Sequence, residues 1–236
     1  MGSSPVPTPP ARRRRPGARE TTSWSVPLAL VVLSLIPVIS GSLRLVEIAG
    51  GPQLMPDNPR IDASPAPVVV HVVAGALYAI LGALQFSARL RRRHLWHRQS
   101  GRILVGAGLA VAGSGLRMTL FYTGAPGGAL LWGIRIAVSS AMAAFLVLGF
   151  AAIRRRDIPA HRAWMMRAYA LGLGAGTQAF TEGIGEALLG TTDLSKALSL
   201  GSGWVVNAVV AELVIRRPSP RRPGRAPVRA ALAGSR

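Results

Sequence analysis

The chain has 236 residues, 50% of them apolar and only 16% charged, which excludes an ordinary water-soluble domain and points to one that lives largely in lipid. Its net charge of +19 suggests a nucleic-acid partner until the basic residues are mapped between apolar runs; their placement has a topological cause, so no nucleic acid is expected. Cysteine is absent, which excludes disulfides, thiolate metal sites and thiol catalysis.

Residues 1–22 are Pro- and Arg-rich, bury too little apolar surface to order themselves, and are expected to form a basic cytoplasmic tail without a cleavable leader. Residues 23–215 hold six apolar runs near the length of about 20 residues that a helix needs to cross a bilayer. The first, 26–48, contains Pro37, tolerated in a membrane helix as a kink, and near its far end Arg44 and Glu47 stand three apart, spaced to pair. Prolines and charges break the segment from 50 to 65, which reads as an external loop.

The second span, 66–88, aligns His71, Gly75, Tyr78, Gly82, Gln85 and Arg89 at spacings of three and four, a stripe of small and hydrogen-bonding residues on one face. The third, 103–122, aligns Gly106, Ala110, Gly113 and Arg117, and the fourth, 129–153, carries Arg135 at similar depth. The fifth, 163–189, places Arg167, Gly174, Gln178, Glu182 and Glu186 along one face, and the sixth, 198–215, carries Asn207 and Glu212. Residues 216–236 are a second basic tail.

Arginines cluster in alternate gaps, around 12–19, 89–102, 154–167 and 216–236, while the other gaps hold only Arg60 and Lys196. This positive-inside pattern predicts both termini in the cytoplasm and a multi-pass protein of the bacterial inner membrane. Two of the basic gaps resemble each other. RRRHLWHRQSGR, ending at Arg102, and RRRDIPAHRAWMMR, ending at Arg167, each follow a triple arginine with a His-Arg pair, so spans two to five read as two similar helix hairpins. The predicted fold class is therefore all-α: an integral membrane bundle of six transmembrane helices.

A charge at mid-bilayer costs about 2.5 to 3.5 kcal/mol, so isolated ones are expected to find partners. Counting depth along the helices predicts an outer polar cluster of His71, Arg117, Arg135, Glu182 and Glu186, read either as helix-pairing salt bridges or as a site where arginines hold an anion. An inner cluster comprises His97, Arg98, His161, Arg162 and Arg167. Arginines there ordinarily anchor and orient, but the matched histidines of the two hairpins suggest a pair able to take a metal, haem iron, a lipid or a quinone head group. Tyr78, Gln85, Gln178 and Asn207 are the expected polar contacts within the helix stripes.

H-x3-G-x6-G-x2-Q from His71 to Gln85, H-R-x2-G-R from His97 to Arg102 and H-R-x-W-M-x-R from His161 to Arg167 together resemble a bacterial membrane family catalogued as domain of unknown function 2306. The resemblance covers about residues 66–215 and implies architecture and topology. A looser similarity is to b-type cytochromes, which implies at most one haem b, between His97 and His161. Three functions follow as expectations: a small membrane redox or haem/quinone-associated component; a proton-coupled carrier or channel for a small anion; and a structural or assembly subunit that binds other membrane subunits within the lipid bilayer.

Overall fold

The computed structural model describes residues 24–217, and every regular element among them is helical. In chain order these are α1 (Ser25–Ile48), α2 (Pro59–Ala63), α3 (Ala66–Gln85), α4 (Ala88–Arg91), α5 (His94–Phe121), α6 (Gly128–Arg154), α7 (Ile158–Gly172), α8 (Gly174–Leu189) and α9 (Asp193–Arg216). Residues 1–22 and most of 216–236, the expected tails, lie outside the described residues.

Among the described residues, five helices are long and apolar enough to cross a membrane: α1, α3, α5, α6 and α9. The run expected as one span at 163–189 is instead two consecutive helices, α7 and α8, meeting at Leu173, each shorter than a crossing requires alone. No proline causes the break. Gly172, Gly174 and Gly176 flank it, and each admits a neighbour where a side chain would stand: Tyr78, the Trp204 indole and the Leu33 carbonyl respectively.

The gaps between spans are also more helical than expected. α5 starts at His94, nine residues before the predicted third span, so the His-Arg segment forms its first turns. α9 likewise starts at Asp193 rather than 198, with Thr192 Oγ1 capping the Ser195 N–H at 3.1 Å.

Successive long helices run antiparallel. Gln85 meets Ser100 between α3 and α5, Gly108 meets Leu146 between α5 and α6, and Gly185 meets Ser199 between α8 and α9. Both arginine-rich turns therefore lie at one end of the bundle, here the basic end. At the opposite end the Arg44–Glu47 pair forms as expected, at 2.6 Å. It also organises the following loop, Glu47 accepting from the Leu54 N–H and Arg44 donating to the Pro56 carbonyl.

The core is built on close approach rather than bulk. Tyr78 and Tyr169 are buried among Ala83, Ala112, Ala168, Met142 and Leu146, and the Tyr169 hydroxyl donates to the Ala79 carbonyl at 2.7 Å. Large apolar side chains such as Leu28, Val73, Val147, Val209 and Leu213 face outward, as suits a bundle whose solvent is hydrocarbon.

Candidate functional site

A cavity of about 630 Å³ opens in the half of the bundle away from the basic end. His71 of α3, Gly115 and Thr119 of α5, Arg135 and Ser139 of α6, Gln178 of α8 and Trp204 of α9 form its walls, and Arg60 of α2 stands at its mouth. At about 1.5 Å per residue, Ser139, Gln178 and Trp204 lie some 16 Å inside their helix ends, so the cavity reaches roughly the middle of a bilayer. Beyond them the tyrosine core is packed solid.

Arg135 is the residue that gives the cavity chemical character. It is half-buried, and among the described residues it donates no hydrogen bond and joins no ion pair. The charges of Arg60 and Glu182 both reach it. Arg60 spends Nε on Asn58 Oδ1 at 3.0 Å, leaving most of its fork uncommitted. Two guanidinium groups thus line one concavity with no carboxylate between them.

His71 lines the same cavity, and its tautomer follows from its partners. The Ser114 hydroxyl donates to the Ala110 carbonyl at 2.6 Å, so it serves His71 as an acceptor. His71 Nδ1, 3.1 Å from the Val111 carbonyl and 3.0 Å from Ser114 Oγ, therefore carries the hydrogen and leaves Nε2 as a proton acceptor.

Of the expected outer cluster, His71 and Arg135 share the cavity, with Glu182 beside it. Glu182 is held by Lys196 at 3.1 Å, a partner that the sequence places in a loop and the structure on the first turns of α9. Arg117 turns elsewhere. It is exposed, lies over the Phe121 ring, and lines a separate shallow groove with Ala66, Val70 and Ser114. Glu186 is exposed as well. Depth brings all five into one layer, but the angular position of each side chain around its helix splits them.

The inner cluster separates in a similar way. His97 Nδ1 bonds Gln85 Oε1, and His161 Nδ1 bonds the Gly149 carbonyl at 2.8 Å; each imidazole fastens its own helix to the one before it, across the same interval of 12 residues. The sequence repeat is thus a repeated latch within each hairpin. Arg167 leaves this group for Glu212, at 2.5 Å, and lies over the Trp164 ring, joining α7 to α9. Arg98 and Arg162 are exposed. Among the described residues, no three His, Cys, Asp or Glu side chains gather as a metal site.

Of the stripe residues, Tyr78 makes no hydrogen bond among the described residues and packs its ring against Tyr169, whereas the other three pair across helices. Gln85 Nε2 donates to Ser100 Oγ at 2.8 Å, and Gln178 Nε2 to the Leu200 carbonyl at 2.9 Å. Asn207 does more: its Nδ2 donates to the Ala170 carbonyl on α7 at 3.1 Å, and its Oδ1 accepts from Thr177 Oγ1 on α8 at 2.7 Å. It bridges the break at Leu173, with Thr177 a partner that no spacing pattern singled out.

A family model described as a predicted membrane protein of DUF2306 matches residues 68–215. No curated protein and no solved structure matches the chain.

Proposed function

The chain belongs to the DUF2306 family of predicted membrane proteins, and from that premise we propose a carrier of the bacterial cytoplasmic membrane that takes a small anion, with a proton, from the outer side. In this reading six passes place both termini and both His-Arg turns in the cytoplasm. α7 and α8 together make the fifth pass, since residues 158–189 extend about 48 Å at 1.5 Å per residue. The arginine distribution supplies the orientation.

One observation carries the reading: Arg135, half-buried and without a hydrogen-bond or ion-pair partner among the described residues, shares a cavity with Arg60. A guanidinium taken out of bulk water, with Glu182 within reach of its field but no carboxylate bonded to it among the described residues, is stabilised when an anion enters. Two features favour transport over simple binding. The cavity's Gln178 belongs to one half of an interrupted helix, the arrangement by which carriers place a substrate against two half-helices that move. His71 presents a neutral Nε2 to the same space, suited to take up a proton in company with the anion. The redox reading ranks behind, because His97 and His161 are each committed to a latch in a separate hairpin.

Proteoliposomes offered acetate, benzoate or phosphate under a pH gradient that is acid on the outside test the proposal. Uptake of at least one is expected, lost in Arg135→Gln and uncoupled from the gradient in His71→Gln. Neither uptake nor binding of any of the three would overturn it.

A further inference from the structure

We infer that the occupant of this cavity is an aromatic carboxylate rather than a compact anion, an inference that rests on the anion reading of the same site. A cavity of about 630 Å³ falls within the range of about 300–1,000 Å³ typical of sites for organic molecules. Acetate or chloride on Arg135 would leave most of that space to water.

The walls carry the second argument. Trp132 of α6 lies one turn from Arg135 towards the mouth, and Trp204 of α9 lines the cavity near its floor. The space beside the cations is therefore bounded by indole rings, with Met118 and Val68 completing an apolar side. Such walls recognise a flat apolar body by stacking and by area removed from water, while a carboxylate matches the planar fork of Arg135 with two parallel hydrogen bonds. The two demands are met together by a carboxyl group attached to a ring.

Trp204 adds a consequence for specificity. A Cβ at Gly174 would stand 2.1 Å from its Nε1, so the indole is wedged against the backbone where α7 gives way to α8. A ring resting on Trp204 thus touches the element that holds the interrupted helix, which acetate on Arg135 does not.

The experiment compares benzoate, acetate and benzamide on the full-length protein in detergent, by calorimetry and by quenching of tryptophan fluorescence, with empty micelles as the partition control. Benzoate is expected to bind about tenfold more tightly than acetate, a stacking and burial contribution of ordinary size, and benzamide not to bind. Trp132→Leu and Trp204→Leu should each lower the ratio of benzoate to acetate affinity, and Trp204→Phe should retain it. Equal affinity for benzoate and acetate, both lost in Arg135→Gln, would overturn this inference and leave the anion site standing. Benzamide binding as tightly as benzoate, or no binding of either acid, would overturn this inference, and the anion reading falls with it if phosphate does not bind either.

Discussion

Asn207 offers the sharpest test of how the interrupted helix is held. After the Leu173 N–H reaches the Tyr169 carbonyl, the regular ladder lapses, and the Ala170 carbonyl takes its hydrogen bond from Asn207 Nδ2 instead. The same side chain accepts from Thr177 beyond the break. Hydrogen bonds between membrane helices average about 0.6 kcal/mol each and reach about 1.7, so Asn207→Ala should cost about 1.2 kcal/mol by removing two. Thr177→Val removes one and should cost about 0.6 kcal/mol. Once Asn207 is gone, Thr177→Val has little left to remove, so the double mutant should fall about 0.6 kcal/mol short of additivity. Reversible unfolding by SDS in mixed micelles measures all four proteins of this cycle. Strict additivity, or an Asn207→Ala cost no larger than that of Thr177→Val, would refute the bridge.

A methyl group at Gly82 would stand 2.1 Å from the Tyr169 ring, so Gly82→Ala should cost about 1–3 kcal/mol despite its better helix propensity, and an unchanged or raised Tm would contradict that packing. Glu212→Gln removes a half-exposed charge pair with Arg167 and should cost no more than about 1 kcal/mol, diminishing in high salt. Glu182 is a competitor of the anion for the field of Arg135. Glu182→Gln should therefore tighten benzoate binding about twofold at low salt, and weakened binding by calorimetry would count against the arrangement. Gln85→Leu deprives His97 Nδ1 and Ser100 of a partner and should lower thermal stability, whereas an equal Tm would show that latch to be dispensable.

Much of the architecture is written in the sequence because lipid demands it. Apolar runs mark α1, α3, α6 and most of α5 and α9 to within a few residues at their lipid-facing parts, since any interruption would leave backbone groups unpaired in hydrocarbon. Helix ends are less legible. His94 to Arg102 reads as a loop by polarity, yet polar helix continues freely outside the hydrocarbon. The break at Leu173 is hidden because glycine is common in membrane helices, and only the neighbours Trp204 and Leu33 make those three glycines decisive.

The candidate site was legible in depth and not in azimuth. Counting along the helices puts Arg135, His71 and Arg117 at one level; Arg135 and His71 line the same cavity, while the position of Arg117 around α5 aims it at a different groove. Lys196 reads as a loop residue because the apolar run begins at 198, so its pairing with Glu182 is visible only once α9 extends back to Asp193. Arg60 stands in the sequence only as an exception to the charge pattern, although α2 carries it to the cavity mouth. Sequence spacing orders residues along one helix; which helix each faces depends on packing that no spacing contains.

The twin latches bear on how such a chain is made. Gln85 with His97, and Gly149 with His161, are joined across 12 residues apiece, so each contact becomes available once only a short stretch of the second helix has left the ribosome. A pair joined at its turn has those polar groups satisfied by its own two helices, with no partner needed from the other half of the chain. Synthesis can thus proceed two helices at a time, with the chamber between them closing last.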